Sequence, residues 1–271
     1  MQLGIMDTIV RAENLDQSLQ AAAALGAEGV EVFYRQANSL EQPGHAKYLK
    51  ELSGKHGVAI PSLCLGFLAQ QPSLIGPAEI VATAQVLIRR GLSVAAEIGA
   101  AVILVPCLGK NAIELEDELT RTADALGELV DEAEDAGVIV GIESNLNFDQ
   151  QRFLLSCLGN PQHAKVYYDT ANTLSRKLDV AIGIRDLGLE AIAQVHFKDV
   201  RLSEGEPPDY DVALGKGNVD FRAVAQALRA IGYDGWIILE TPPVDDPLRS
   251  AAANLAFARE VLGIQAPSAP A

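Results

Sequence analysis

The chain has 271 residues, of which 49% are hydrophobic and 21% are charged. This composition is typical of a folded globular protein and excludes a disordered chain, which would bury too little apolar surface. The formal net charge of -15 argues against a nucleic-acid partner, because binding to phosphate backbones depends on clustered Lys and Arg.

The beginning of the chain, MQLGIMDTIVRAEN, has no basic segment followed by an apolar run, so we do not expect a secretory signal. The longest apolar stretch, IGAAVILVPCLG from Ile98, is too short to cross a bilayer and contains a Pro. The three cysteines are widely spaced and form no CxxC pair, which is typical of free thiols in a reducing compartment. The sequence therefore predicts a cytoplasmic protein without a membrane partner.

Short β-branched or apolar runs alternate with helix-forming segments along the whole chain. These runs predict eight strands, which begin at Leu3, Gly29, Ala59, Ala101, Gly137, Ala164, Ala193 and Gly235. The segments between them are rich in Ala, Leu, Glu and Arg, and most of them end at a Gly, the usual residue after a helix C-terminus.

Strands that alternate with helices predict a parallel sheet, and eight such units favour a single α/β domain, a closed (β/α)8 or TIM barrel. The competing architecture is a doubly wound open sheet. It usually carries GxGxxG after its first strand, and the stretch GIMDTIVRAEN has no such motif. We therefore predict a barrel over residues 1–265, followed by a flexible tail, APSAPA, over residues 266–271.

Four consecutive predicted strands carry side chains that can bind metal ions. Glu143 ends the fifth strand, Asp169 ends the sixth, and Glu240 ends the eighth, while His196 lies in the seventh. Active sites of (β/α)8 barrels lie at the C-terminal ends of the strands, so we expect the four side chains to converge. The alternative for each single carboxylate is a helix cap or an ion pair with Lys198.

The alternation of side chains supports this convergence. On the seventh strand His196 and Lys198 share one face, and Phe197 takes the other. If Phe197 packs against the outer helices, the two polar side chains point into the barrel mouth. Crowded carboxylates repel one another unless a cation neutralises them. Three carboxylates and one imidazole favour Mn²⁺ or Mg²⁺, with Mn²⁺ as our prediction, and are also compatible with Co²⁺, Fe²⁺ or Zn²⁺.

These residues, together with the stretches DTAN, HFKD and LGKGNVDF, resemble the xylose-isomerase-like barrel superfamily of sugar and sugar-phosphate isomerases and epimerases. The pattern is most similar to that of the ketose 3-epimerases, in both the free-sugar branch and the L-xylulose/L-ribulose 5-phosphate branch. The resemblance covers essentially the whole chain. It implies that Glu143, Asp169, His196 and Glu240 bind a divalent metal ion, and that the two glutamates are also the catalytic acid and base.

The resemblance also implies substrate-binding residues. Asp149, six residues beyond Glu143, falls where the free-sugar branch has a substrate-binding acid. Arg201, five residues beyond His196, lies near the position of a substrate-binding arginine. Free-sugar epimerases typically show Asp-x-x-His after the sixth strand, whereas the phosphate branch commonly shows Asp-x-x-Asn. Asn172 therefore favours the phosphate branch, and its alternative role is a helix cap.

Three further residues are candidates for substrate contacts. Lys198 is expected to contact a substrate oxygen or to pair with a neighbouring aspartate. Glu31, in GVEVFY, is expected at the barrel mouth near sugar hydroxyls, with a solvated strand end as its alternative. Lys216 and the flanking glycines of LGKGNVDF are expected to bind a phosphate group. The alternative for this stretch is a plain turn before a capped helix.

This set of residues is suited to proton transfer beside a ketose carbonyl. A divalent ion would act as the Lewis acid, and two carboxylates on opposite faces of the substrate would exchange the roles of base and acid through an enediolate. We therefore predict a metal-dependent isomerase or epimerase that acts on a ketose or ketose phosphate. The alternatives are an inosose dehydratase-like lyase and a non-catalytic sugar-binding barrel. Barrels of this type commonly associate, so a homo-oligomer is compatible with the sequence, which leaves the oligomeric state open.

Overall fold

The protein, described here by a computed structural model over residues 1–243 and 245–265, is a closed barrel of eight strands in sequence order. All neighbouring strands are parallel. The strands are β1 (Gln2–Met6), β2 (Gly29–Phe33), β3 (Ser62–Cys64), β4 (Val102–Cys107), β5 (Ile139–Ser144), β6 (Ala164–Asp169), β7 (Ile192–Phe197) and β8 (Trp236–Leu239). The prediction of a (β/α)8 barrel is confirmed, and the predicted tail, 266–271, lies outside the described residues.

The helices form the outer layer of the barrel. They are α1 (Leu15–Ala24), α2 (His45–His56), α3 (Ala78–Ile98), α4 (Glu116–Ala136), α5 (Phe148–Leu158), α6 (Thr170–Ser175), α7 (Val180–Ala191), α8 (Phe221–Ala230) and α9 (Pro247–Leu262). As the sequence predicted, several of them stop at a left-handed Gly, such as Gly99 after α3 and Gly137 after α4. Across the described residues, no helix combines the length and the apolar character that a bilayer-crossing segment needs.

Two elements differ from the sequence prediction. The segment TLSRKLDVAIGIRDLGLE divides into α6 and α7, because Lys177 adopts a left-handed conformation at φ 60° and Asp179 caps the next helix by accepting a hydrogen bond from the Ile182 N–H. The third strand, expected from Ala59, is limited to Ser62–Cys64. Pro61 precedes it and has no N–H to donate to a ladder of hydrogen bonds.

The alternation of side chains on β7 is as the sequence predicted. Phe197 is fully buried and packs on Phe221 of α8, with their ring centroids 5.0 Å apart. Phe197 therefore faces the outer helices, and its neighbour His196 faces the barrel interior. A polar side chain such as His196 is therefore tolerated on this strand, because inward-facing side chains of other strands are its partners.

Glycines allow close packing inside the barrel at β1 and β2. A Cβ atom added to Gly4 would lie 2.6 Å from Ile238 Cδ1 and 2.9 Å from the Gly29 carbonyl oxygen. Both distances are shorter than van der Waals contact, and the second involves backbone that cannot rotate away. The barrel closure between β1 and its two neighbours therefore depends on a residue without a side chain at Gly4.

We predict that Gly4→Ala lowers the free energy of unfolding by about 1–3 kcal/mol, because the added methyl group overpacks the barrel interior. Gly127→Ala is the matched control, since a Cβ atom there meets open space in the middle of α4. That substitution should raise stability by about 0.5–1 kcal/mol, because alanine favours a helix over glycine. Urea unfolding of both variants measures the difference, and equal stability of the two would contradict this account of the packing.

Candidate metal centre

Four side chains from consecutive strands meet at the C-terminal end of the barrel. Glu143 lies in β5, Asp169 ends β6, His196 lies in β7 and Glu240 directly follows β8. Each offers one ligand atom, and these atoms all lie within 4.8 Å of one another. The convergence expected from the sequence is therefore present in the fold.

The imidazole of His196 is the centre of this cluster. Its Nδ1 atom lies 3.1 Å from Glu240 Oε2, 3.6 Å from Glu143 Oε1 and 4.0 Å from Asp169 Oδ2. Within the part of the chain that the structure describes, three buried atoms of the cluster have no hydrogen-bond partner, namely Asp169 Oδ2, His196 Nδ1 and Glu240 Oε2. Buried polar atoms normally have a partner. A cation bound between these three atoms would provide one.

In each of these three side chains, the second polar atom already has a hydrogen-bond partner. Asp169 Oδ1 accepts a hydrogen bond from the backbone N–H of Asn172 at 2.6 Å, because Asp169 is the N-cap of α6. Glu240 Oε1 accepts one from Lys198 Nζ at 2.9 Å. The far nitrogen of His196, Nε2, is 2.8 Å from a carboxylate oxygen of Glu31. Each side chain is thus held by one atom and directs the other into the cluster.

The crowding shifts the protonation of these groups. Burial raises the pKa of Asp169 to about 8; Lys198 opposes this shift, while Glu143 and Glu240 reinforce it. Burial alone would lower the pKa of His196, but the carboxylates of Glu31 and Glu240 hold that pKa well above its ordinary value. Without a cation the cluster therefore retains protons at neutral pH. A divalent ion would take their place as the source of positive charge.

Glu240 is the most accessible residue of the cluster, and Lys198 pairs with it. Their side chains are 24% and 17% exposed, compared with 0% for the side chain of Asp169. Burial opposes the ionised form of Glu240, but the charges of Lys198 and His196 are stronger, so the pKa of Glu240 lies below its usual range. A solute that enters the barrel mouth would meet an ionised Glu240 paired with an ammonium group.

The donor set fits a divalent metal ion. Three carboxylates and one imidazole provide oxygen atoms and one nitrogen, a combination suited to hard or borderline ions such as Mg²⁺ and Mn²⁺. The fit rests on the orientation of the unpaired Asp169 Oδ2, His196 Nδ1 and Glu240 Oε2 atoms. Glu143, Asp169, His196 and Glu240 are the residues that would hold the ion.

Glu31 does not lie where the sequence analysis expected it. Its side chain is 0% exposed, so it is not available at the barrel mouth for sugar hydroxyls. It contacts His196 on the side away from the other carboxylates and also accepts hydrogen bonds from Ser62 and Tyr167. The imidazole of His196 therefore separates Glu31 from the other three carboxylates. The expectation of a sugar contact was wrong for this reason.

Asn172 contacts a member of the cluster and is not the helix cap that was its alternative role. Asp169 caps α6, and Asn172 lies within that helix. The side-chain amide of Asn172 donates a hydrogen bond to Glu143 Oε1 at 3.0 Å. Because Asn172 is buried, it orients Glu143 from the side of β6. A contact between Asn172 and a substrate remains a proposal, which its position next to Glu143 allows.

Asp149 and Arg201 are turned away from the cluster. Asp149 is in the first turn of α5, its side chain is 91% exposed, and it pairs with Arg152 at 2.5 Å. Arg201 pairs with Asp209 at 3.1 Å, and both side chains are about half exposed. The sequence offset predicted neither partner. In this conformation neither residue touches a member of the cluster.

The stretch around Lys216 forms a turn that uses its own backbone groups. The N–H of Gly217 donates to Asp199 Oδ2 at 2.8 Å, and Asp220 caps α8. The Gly217 amide, which was expected to bind a phosphate group, therefore already has a hydrogen-bond partner. The stretch agrees with the alternative interpretation, a turn before a capped helix. Lys216 and Arg201 both line an open cavity of about 360 Å³ between this loop and α9.

A family model described as a xylose isomerase-like TIM barrel matches residues 19–261. The chain belongs to this family. The match includes all four residues of the cluster. It confirms the superfamily that the motifs DTAN, HFKD and LGKGNVDF indicated.

Named relatives cover most of the chain. A 2-epi-5-epi-valiolone 7-phosphate 2-epimerase from Actinoplanes sp. is 29% identical over 78% of this chain and 76% of its own length. An L-ribulose-5-phosphate 3-epimerase, UlaE, from Salmonella paratyphi B is 27% identical over 75% of this chain and 71% of its own length. An inosose dehydratase from Geobacillus thermodenitrificans is 26% identical over 92% of this chain and 90% of its own length. The relatives thus include sugar epimerases, as the resemblance implied.

A solved structure shares the fold. The D-psicose 3-epimerase of Clostridium cellulolyticum H10, determined with D-tagatose, superposes with a TM-score of 0.80 and covers 97% of this chain and 99% of its own. The sequence identity is 17%. This likeness supports the barrel architecture over the whole chain.

We predict that Mn²⁺ stabilises the protein through this cluster. A ligand that binds only the folded state at 100 times its Kd raises the free energy of unfolding by about 2.7 kcal/mol. Asp169→Asn should abolish this gain, because the amide cannot supply an anionic ligand. Asp149→Asn, which removes an exposed acid outside the cluster, should keep it. Thermal melting with and without Mn²⁺ provides the measurement, and equal gains in both variants would contradict the assignment.

We also predict that Mn²⁺ binding weakens as the pH falls. The ion must displace protons from Asp169, whose pKa is about 8, and from His196, whose pKa is raised. Below these pKa values the groups hold their protons, so each displaced proton costs about tenfold in affinity per pH unit. Calorimetric titration at about pH 6 and about pH 8 tests this linkage. The same Kd at both values would mean that the cluster does not exchange protons for the ion.

Proposed function

We propose that this protein is a divalent-metal-dependent isomerase that epimerises a ketose or ketose phosphate beside its carbonyl group. The observation that carries the proposal is the set of ligand atoms within 4.8 Å of one another, which includes two glutamates. Membership of a family with sugar epimerases among its members supports the class of reaction. Mn²⁺ is the ion that we propose.

The two glutamates are proposed as the acid and base. Glu143 on β5 and Glu240 after β8 come from either side of the two strands that carry Asp169 and His196. A substrate bound over the cluster would therefore have one carboxylate at each side. In an epimerisation one carboxylate removes the proton from carbon while the other returns a proton to the opposite face. Such an arrangement suits epimerisation better than transfer along a single face.

Each glutamate has a neighbour that supports its proposed role. Lys198 donates to Glu240 and keeps it ionised, so Glu240 is ready to accept a proton. The amide of Asn172 donates to Glu143 and fixes its orientation. When bound, the divalent ion would supply Lewis-acid stabilisation of the negative charge that develops on the substrate oxygens. Lys198 is the side chain that we propose to contact a substrate oxygen, since its ammonium is partly exposed beside Glu240.

We expect deuterium to enter a ketose beside its carbonyl when the protein is incubated with Mn²⁺ in D₂O. The substrates are free ketoses and ketose 5-phosphates, and proton NMR follows each carbon. Exchange at C3 with formation of the epimer would support the two-carboxylate mechanism. Glu143→Gln and Glu240→Gln should each lower the rate by about 10²- to 10⁴-fold, the usual contribution of a positioned acid or base.

Asp149→Asn is the matched control for these variants, because it removes a carboxylate that pairs with Arg152 and leaves the cluster unchanged. It should retain the exchange rate of the unmodified protein. Exchange at C1 or C2 in place of C3 would identify an aldose–ketose isomerase. If Mn²⁺ binds but none of the tested ketoses exchanges deuterium, the result would contradict the epimerase proposal.

A second candidate function is dehydration of an inosose. It is favoured by the inosose dehydratase relative, which covers 92% of this chain. Dehydration also begins with removal of a proton beside a carbonyl, but a hydroxyl group then leaves from the next carbon. The same NMR experiment with an inosose distinguishes the two functions, because loss of water removes a carbon-bound oxygen whereas epimerisation keeps the composition unchanged.

A further inference from the structure

Glu31 is a buried carboxylate that the proposed reaction does not use. It lies on β2, on the side of His196 opposite to the cluster, and its side chain is 0% exposed. Its Oε1 atom is 2.8 Å from His196 Nε2. An ionised carboxylate in such a position is costly unless each oxygen has a donor. The hydrogen-bond donors around Glu31 therefore indicate which group each of its oxygens holds in place.

The second oxygen of Glu31 is saturated by two hydroxyl groups. Tyr167 donates to Oε2 at 2.6 Å and Ser62 donates to the same atom at 2.7 Å. A carboxylate only accepts hydrogen bonds, so both hydroxyls act as donors. The Ser62 oxygen in turn accepts from the side-chain amide of Gln194 at 3.4 Å, which leaves the Ser62 proton for Glu31. The network thus directs Oε1 to His196 alone.

We propose that Glu31 is a positioning residue that fixes His196 in the tautomer able to bind a metal ion. When Nε2 carries the proton and donates it to Glu31 Oε1, the neutral ring has its lone pair on Nδ1. That atom faces Glu143, Asp169 and Glu240, and in the described region it has no hydrogen-bond partner. The inference rests on the proposed metal centre and adds the residue that prepares its only nitrogen ligand.

Two further features agree with this role. The ring of Tyr167 lies against His196, with centroids 4.5 Å apart and an interplanar angle of 60°, so it restricts rotation of the imidazole. A carboxylate on the far nitrogen also increases the electron density of the ring and strengthens its bond to a metal ion. Glu31 therefore sets both the direction and the strength of the nitrogen ligand without touching the ion.

The same network predicts the effect of an isosteric amide. In Glu31→Gln, the hydroxyls of Tyr167 and Ser62 still need an acceptor, so the amide oxygen turns towards them. The NH₂ group then faces His196 Nε2 and donates to it. This arrangement favours the tautomer with its proton on Nδ1, so Nδ1 has no lone pair to offer to an ion in the cluster. A substitution that conserves shape should therefore act on the metal site through the tautomer.

Mn²⁺ titration of three proteins tests the inference. Relative to the unmodified chain, Glu31→Gln should raise the Kd for Mn²⁺ by about 10- to 100-fold, the usual effect of removing the partner of a histidine ligand. Glu28→Gln is the matched control, because it makes the same change three residues earlier, where Glu28 accepts a hydrogen bond from the Leu3 N–H outside this network, so its Kd should stay within about threefold. The metal-free melting temperatures of the variants control for folding. A Glu31→Gln protein that binds Mn²⁺ as tightly as the unmodified chain would overturn the inference.

A spectroscopic readout needs no variant. In the Zn²⁺-loaded protein with ¹⁵N-labelled histidine, His196 should show a slowly exchanging proton on Nε2 and none on Nδ1, since its side chain is 1% exposed. A proton on Nδ1, or an Nε2 atom bound to zinc, would overturn the inference even if Glu31→Gln does not fold. An unmodified chain that binds neither Mn²⁺ nor Zn²⁺ would overturn the proposed metal centre itself. A metal centre that forms with the other tautomer would overturn the role of Glu31 alone.

Discussion

The concentration of negative charge inside one end of the barrel is the constraint that organises the site. Glu31, Glu143, Asp169 and Glu240 lie around a single imidazole. Among the described residues, Lys198 is the one permanent positive charge paired with this group, through Glu240. Moving a carboxylate out of water costs several kcal/mol unless it is paired. The hydrogen bonds from the α6 backbone, Asn172, Tyr167 and Ser62 distribute part of this charge. A divalent cation would neutralise the remainder in place of protons, and the atoms of Asp169, His196 and Glu240 that lack a partner among the described residues point to where it would bind.

The order of the strands in the barrel determines where each charged side chain of the site lies. Consecutive parallel strands bring one ligand each to the same end, so the cluster needs no loop to assemble it. The two glutamates come from the outer strands of the four, and the two remaining ligands lie between them. The base and the acid that we propose on either side of a bound ketose would follow from this order. The most exposed members, Lys198 and Glu240, face the direction from which a substrate would enter.

Strand parity and strand order are the parts of this structure that the sequence predicts well. The alternation of Phe197 with its polar neighbours identified the inward face of β7, and the positions of Glu143, Asp169 and Glu240 at strand ends identified the cluster. Both signals are local in sequence, and the alternation has the two-residue period of a strand. The fold class followed from the repeated alternation of strands and helices, because few architectures accommodate eight such units.

The sequence did not predict how deeply a site residue is buried or which side chain it contacts. Glu31 has the correct parity for the interior, but nothing in GVEVFY shows that it is fully buried or that its partner is His196, 165 residues away. Tyr167 shares the inward face with Asp169, and this parity was the signal that could have found it. Asp149 and Arg201 were assigned by sequence offset, and each has an ion-pair partner whose proximity depends on helix or loop geometry. The offset does not show which way a side chain points from its helix or loop, whereas the pairing of Glu31 with His196 forms because distant segments meet.

The most direct measurement is X-ray diffraction from crystals soaked in Mn²⁺, with data collected at the manganese absorption edge. The account predicts one strong anomalous peak in direct contact with His196 Nδ1 and with carboxylate oxygens of Glu143, Asp169 and Glu240. It also predicts that Glu31 remains outside the coordination sphere, on the Nε2 side of the imidazole. No peak at the cluster under conditions that saturate other sites, or a manganese ion bound to Glu31, would contradict the central claim.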